Sequence, residues 1–117
     1  MGDLSAHFSY HEFRDKRTGA VKVDPELVRR LELLRSIIGN RPIVIVSGFR
    51  SRSTNTAVGG AKKSQHLVGR AVDIPRGVAT LSEAYAAGFR GVGTRGRWAV
   101  HVDVRPGTRI HTWSYGP

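Results

Sequence analysis

SQHLVGRAVDI, residues 64–74, is the stretch on which the reading of the fold turns. Ser64, Gln65 and His66 close a long polar segment, and Arg70 to Ile74 then read as a short strand that Pro75 stops. Gly69 and Ala71 lie between His66 and Asp73 and leave room for backbone and ligand groups to approach closely. The stretch is therefore a junction between a loop and a sheet, with a histidine on one side and a carboxylate on the other.

Upstream, GFRSRSTNTAVGGAKKSQHLVG (48–69) is rich in Gly, Ser, Thr and basic residues, with one helical turn expected near Thr54 to Val58. So long a loop in a small domain is either functional or disordered. Before it, Pro42 introduces Ile43 to Val46, a β-branched run that predicts a strand buried on both faces and ending at Ser47 and Gly48. Earlier still, VDPELVRRLELLRSIIG predicts a helix. Asp24 caps it, Pro25 and Glu26 suit its first turn, Leu27, Leu31, Leu34 and Ile38 line one face, and Gly39 with Asn40 ends it. A shorter helix is expected around Ser9 to Arg14, with Phe8 and Phe13 available for packing.

Downstream, Leu81 to Ala87 predicts a helix capped by Thr80 or Ser82 and stopped by Gly88. Two last strands are expected at Gly91 to Gly93 and Trp98 to Val104, before the turn-forming Pro106 and Gly107. No repeat or linker interrupts the chain. The expected class is α+β, a single domain over residues 1–117 with a small, mainly antiparallel sheet.

With 117 residues the chain can bury its own core. It contains no cysteine, which excludes disulfides and thiolate metal sites and leaves only nitrogen and oxygen donors for a metal. No apolar run approaches the roughly 18 residues that cross a bilayer. The start MGDLSAHFSYHEF lacks the charged-then-apolar pattern of a secretory signal, so the expectation is action inside the producing cell or delivery by other means. Nineteen Lys and Arg against nine Asp and Glu give a formal charge of +10, which favours a polyanionic partner: nucleic acid or an anionic cell envelope.

Two histidines stand in settings that carry chemistry. His66 precedes the Arg70 to Ile74 strand that holds Asp73. His101 is central in the Trp98 to Val104 strand beside Asp103, and residues i and i+2 of a strand share a face. Two imidazole nitrogens and one carboxylate oxygen form a catalytic zinc set whose fourth position is left to water, although a histidine before a strand also occurs as a plain surface or hydrogen-bonded residue. His7 and His11 lie at helical spacing but flank a helix start, which favours surface or packing roles. His111 belongs to the tail RIHTWSYGP, whose Trp113 and Tyr115 either pack on the core or line a groove.

SGFRS (47–51), AVGGAKKSQHLVGRAVDI (57–74) and VHVDVRPG (100–107) together resemble the zinc D-Ala-D-Ala carboxypeptidase family of metallopeptidases, in particular its compact single-domain members. The resemblance runs from HFSYHEF through VDPELVRRLELLR to about Gly107. Its most specific part is SQHLVGRAVDI, which fits the pattern Ser, any, His, two of any, Gly, any, Ala, any, Asp. It implies a Zn2+ ion held by His66, Asp73 and His101, in a fold where a small sheet carries the ligands and helices back it. It also implies that Arg50 stabilises an oxyanion and that Ser64 and Gln65 contact substrate, roles a fixed guanidinium and polar side chains can perform. The implied reaction is hydrolysis of D-amino-acid-containing bonds in peptidoglycan stem peptides at the bacterial cell wall, with phage-encoded or virion-associated delivery as the expectation for a domain without an export signal, and a piece of a longer secreted protein as the alternative that would read the same.

In one respect the chain departs from the family. Many members carry Glu or Asp three residues before the last zinc histidine, where this chain has Trp98. Asp103 is the nearest substitute, either as proton acceptor or as a carboxylate that orients a ligand. Two other function classes remain in view: a non-catalytic wall-binding module that keeps the zinc pocket, and a basic nucleic-acid binder. The second rests on Arg50, Arg52, Lys62, Lys63, Arg90, Arg95 and Arg97 and lacks any recognisable nucleic-acid-binding motif.

Overall fold

Helix α1, Pro25–Ile37, forms as its sequence dictates: Asp24 accepts a hydrogen bond from the Glu26 amide, and Pro25 sits in the first turn. Leu27, Leu31 and Leu34 recur on one face and are almost completely buried, together with Ile38 just beyond the helix end. Each such leucine contributes about 1.5–3 kcal/mol of transfer free energy. In the computed structural model, which describes residues 2–117, this face packs against one side of a five-stranded sheet.

The strands are β1 (Ala71–Asp73), β2 (Ala79–Thr80), β3 (Gly91–Arg95), β4 (Trp98–Asp103) and β5 (His111–Ser114). The spatial order is β1-β4-β3-β5, and β2 also pairs with β4. All pairings are antiparallel except that of β3 with β5, so the sheet is mixed and mainly antiparallel and the class is α+β. Helix α2 (Arg52–Ala57) lies in the long loop, and α3 (Leu81–Ala86) follows β2 in the chain and leads to β3, its start closed by a capping box between Thr80 and Glu83. No helix among the described residues is long and apolar enough to cross a membrane.

Alternation along the strands separates two faces. Val72, Val102 and Val92 stand side by side across β1, β4 and β3 and are fully buried in the core with Phe8, Phe13, Phe89 and the α1 leucines. On the opposite face the same strands carry Asp73, His101 and Gly93, again in one row, which β5 extends with Trp113. A bulge between Gly93 and Thr94 leaves Val100 without a partner on β3, immediately before His101. Bulges of this kind bend the strand and re-aim the next side chain.

Several expectations need correction. Ile43 to Val46 is not a strand buried on both faces: Ile43 and Ile45 are buried, whereas Val44 and Val46 are exposed. Only a bridge from Ser47 to Asp73, with the Val46 amide donating to the Asp73 carbonyl, ties the segment to β1, because β1 is too short to offer a longer ladder. β4 is not the last strand. β5 follows it within the tail, and the brief β2 precedes α3. His66 sits in a 3-10 turn, Gln65–Val68, that the loop reading left unassigned.

Candidate metal centre

Three elements bring His66, Asp73 and His101 together. The Ser64 hydroxyl caps the turn carrying His66 by accepting from the His66 amide, and the His66 carbonyl in turn accepts from the Arg50 amide. Asp73 and His101 are direct partners across the β1–β4 ladder, which sets their side chains side by side on one face. One oxygen of Asp73 lies 3.3 Å from His66 Nε2 and 3.1 Å from His101 Nδ1. One donor atom from each residue falls within 4.8 Å of the others, an arrangement that could hold a metal ion.

The remaining ring nitrogens fix which atoms face the centre. His66 Nδ1 is 2.7 Å from the Gly48 carbonyl, which can only accept, so Nδ1 donates there and Nε2 is the nitrogen left facing Asp73. His101 Nε2 is 2.8 Å from Asp103 Oδ2 and donates to it, which leaves Nδ1 as the inward donor atom. Such outer partners lock the tautomer and raise ligand basicity, the usual support of a metal-binding histidine. The donor set of two imidazoles and one carboxylate, with no sulfur, suits a borderline divalent ion such as zinc.

Asp103 is completely buried and does not open onto the cleft. Arg105 grips it with Nε and Nη2 at 2.9 and 2.7 Å, and the Arg105 amide adds a third bond at 3.1 Å. Burial by itself would raise the Asp103 carboxyl, but the Arg105 fork and then His101 outweigh it and hold the group well below the usual carboxylate range. Asp73 behaves alike: its hydrogen bonds and charge interactions with the two histidines overcome burial and keep it ionised. His101 is shifted in the other direction. Burial disfavours its charged form, yet Asp103 and Asp73 together raise it above an ordinary histidine, so a proton would compete with a metal for Nδ1.

The centre lies in a cleft of about 500 Å³. Arg50, Ser64 and Gln65 line it, as do Trp113, Tyr115 and Arg105, whereas Trp98 does not. Arg50 is mostly shielded and reaches Asp73 Oδ2 at 3.1 Å. Its loop is tied down from behind, since buried Asp15 accepts hydrogen bonds from the amides of Ser51, Arg17 and Thr18. The Phe49 amide also bonds the Phe13 carbonyl, so the N-terminal segment helps hold the arginine. His7 instead pairs with Glu32, His11 contacts Arg14, and His111 is exposed on β5.

The residues that sequence reasoning missed are Arg105 and two glycines of β3. A Cβ on Gly93 would come within 2.6–2.9 Å of Tyr115 and Trp113, and a Cβ on Gly91 would come within 2.2–2.4 Å of the Asp103 carboxylate. Bare positions on one face of β3 thus let Trp113 lie over Gly93 to reach His101, with ring centroids 5.1 Å apart, and let the Asp103 carboxylate lie over Gly91. Alternating glycines in GVG, in a run otherwise read as a strand, were the available signal. Arg105 stacks on Trp113 at 5.2 Å and so joins the buried carboxylate to the aromatic wall.

Comparison with known proteins gives two results. The model of the family described as Peptidase M15 matches residues 6–103. The zinc D-Ala-D-Ala carboxypeptidase of Streptomyces albus G is 32% identical over 83 residues, covering 71% of this chain and 31% of that protein. The chain therefore spans about a third of that relative's length. The family match contains all three metal-site residues and Arg50, and it ends before Arg105, Trp113 and Tyr115.

Proposed function

The chain belongs to the peptidase M15 family, and from that premise we propose that it is a zinc peptidase hydrolysing D-amino-acid-containing bonds of peptidoglycan stem peptides. The observation that carries the reading is the convergence of His66 Nε2, Asp73 and His101 Nδ1, each histidine having its other nitrogen committed to an acceptor. The name of the Streptomyces relative supports both the metal and the substrate class.

When bound, zinc supplies Lewis acidity, lowering the pKa of water to about 7 and polarising a carbonyl. His66, Asp73 and His101 hold it. Arg50, fixed by Asp73 and by the Asp15-anchored loop, stabilises the negative charge that develops on the substrate carbonyl oxygen. Ser64 and Gln65 hydrogen-bond the peptide backbone along the adjoining wall. Of the two roles open to Asp103, burial behind His101 and engagement by Arg105 favour the orienting one. It holds the His101 proton on Nε2 and keeps Nδ1 turned inward.

A non-catalytic wall-binding module is the second reading. It draws on one observation: among the described residues that line the cleft, Asp73 is the sole carboxylate, so no free one stands ready to take a proton. Digestion of purified wall peptides, with mass identification of products in the presence of zinc or chelator, separates the two. Zinc-dependent loss of a terminal D-alanine, or opening of an internal D-containing bond, is the expected result. Binding of wall peptides without any zinc-dependent product would support the module.

A further inference from the structure

Beside the metal cleft lies a second cleft of about 500 Å³, and the catalytic reading uses only the wall it shares with the first. Arg50, Arg52, Lys62, Lys63 and Arg70 line it, and no acidic residue does. Arg50 and Arg70 are engaged by Asp73 and Asp24 at its edges. Among the described residues, Arg52, Lys62 and Lys63 form no salt bridge and are exposed. The two clefts are contiguous, sharing Arg50, Lys63, Ser64 and Gln65.

The geometry points to this basin as a subsite for a carboxylate of the peptide substrate, carried a few residues from the scissile bond. The inference rests on the peptidase reading and adds where the substrate's charge is recognised. Like charges gathered on one wall repel one another and destabilise the free chain, and an anion relieves that repulsion on binding. A surface kept charged only for solubility has its signs interspersed, which this wall does not. Phe49, Leu67 and Val68 supply an apolar lining that strengthens charge interactions above it. A cleft of this volume is roughly 8 Å across, the span of two to three extended residues. A chain seated at the metal would thus reach the basin without leaving the shared wall. Nucleic acid or a phosphate polymer would also answer the charge, but neither needs a wall in common with a peptidase centre.

The test is calorimetric binding of two peptides to the zinc-loaded chain. Both end in a D-Ala-D-Ala unit whose amide is replaced by a non-hydrolysable ketomethylene. They differ only in that a glutamate residue upstream carries either its free carboxylate or a carboxamide. The carboxylate peptide is expected to bind about tenfold more tightly at low salt, with the gap narrowing as salt rises. In Arg52→Gln/Lys62→Gln, whose circular dichroism should match the parent, the gap is expected to shrink below about twofold. Equal binding of the two peptides, no binding of either, or a preference that survives the double variant overturns the proposal. So does stronger displacement of the peptide by an equal charge of inorganic polyphosphate or duplex DNA. Cleavage of the corresponding ordinary amides is measured separately. If neither these nor purified wall peptides are cut while the carboxylate preference holds, the peptidase reading fails and the basin stands.

Discussion

The two faces of the sheet arise from the same strands by simple alternation, yet they are built to different rules. On one face Val72, Val102 and Val92 form an apolar row pressed against α1, where any side chain of similar size and shape would serve. On the other, Asp73, His101, bare Gly93 and Trp113 form a row in which each position depends on its neighbour's chemistry. The glycine makes space for the indole, Arg105 stacks on that indole, and the same Arg105 grips the carboxylate that is hydrogen-bonded to the histidine. The lesson is that stability and function here sit one residue apart along each strand, and substitutions should separate them.

The largest expected separation is at His101. His101→Ala should lower the catalytic efficiency of peptide hydrolysis by about a thousandfold or more while leaving the thermal midpoint of the metal-free protein within a few degrees, measured by steady-state kinetics and calorimetry. Its neighbour should do the opposite. Val102→Ala is expected to cost about 2–3 kcal/mol in denaturant unfolding, with near-normal turnover per folded molecule. If Val102→Ala abolished turnover in protein shown to be folded, the two faces would not be independent.

Asp103 tests the comparison where the faces meet, because it is as buried as a core residue but is hydrogen-bonded to His101. Asp103→Asn should weaken zinc binding by about 10- to 100-fold in a competitive chelator titration. An unchanged affinity would remove its orienting role. The smallest effect is expected at Trp113, where Trp113→Ala should raise KM by about three- to tenfold with little change in kcat. A fall in kcat with KM unchanged would instead make the indole a support for His101.

The features of the fold that were legible in the sequence were those encoded locally. α1 announced itself through Asp24, Pro25 and the leucine spacing, and the three candidate ligands that the fold brings together were picked out by the resemblance of SQHLVGRAVDI and VHVDV to a known family. What could not be read depended on distant partners. Ile43 to Val46 has strand-forming residues but finds almost no ladder beside three-residue β1. β5 is a strand only because β3 offers it a parallel edge, and Gly91 and Gly93 acquire meaning only when Asp103 and Trp113 are seen lying over them. The role of Arg105 depends on the burial of Asp103, which i, i+2 spacing does not reveal.

The central claim is that zinc held by His66, Asp73 and His101 drives peptide hydrolysis, and a zinc titration of the metal-free chain acting on a D-Ala-D-Ala peptide tests it most directly. Activity should rise from zero to a plateau at one equivalent of zinc, and His66→Ala should give none at any concentration. Turnover that persists in chelator, or that survives in His66→Ala, would contradict the account.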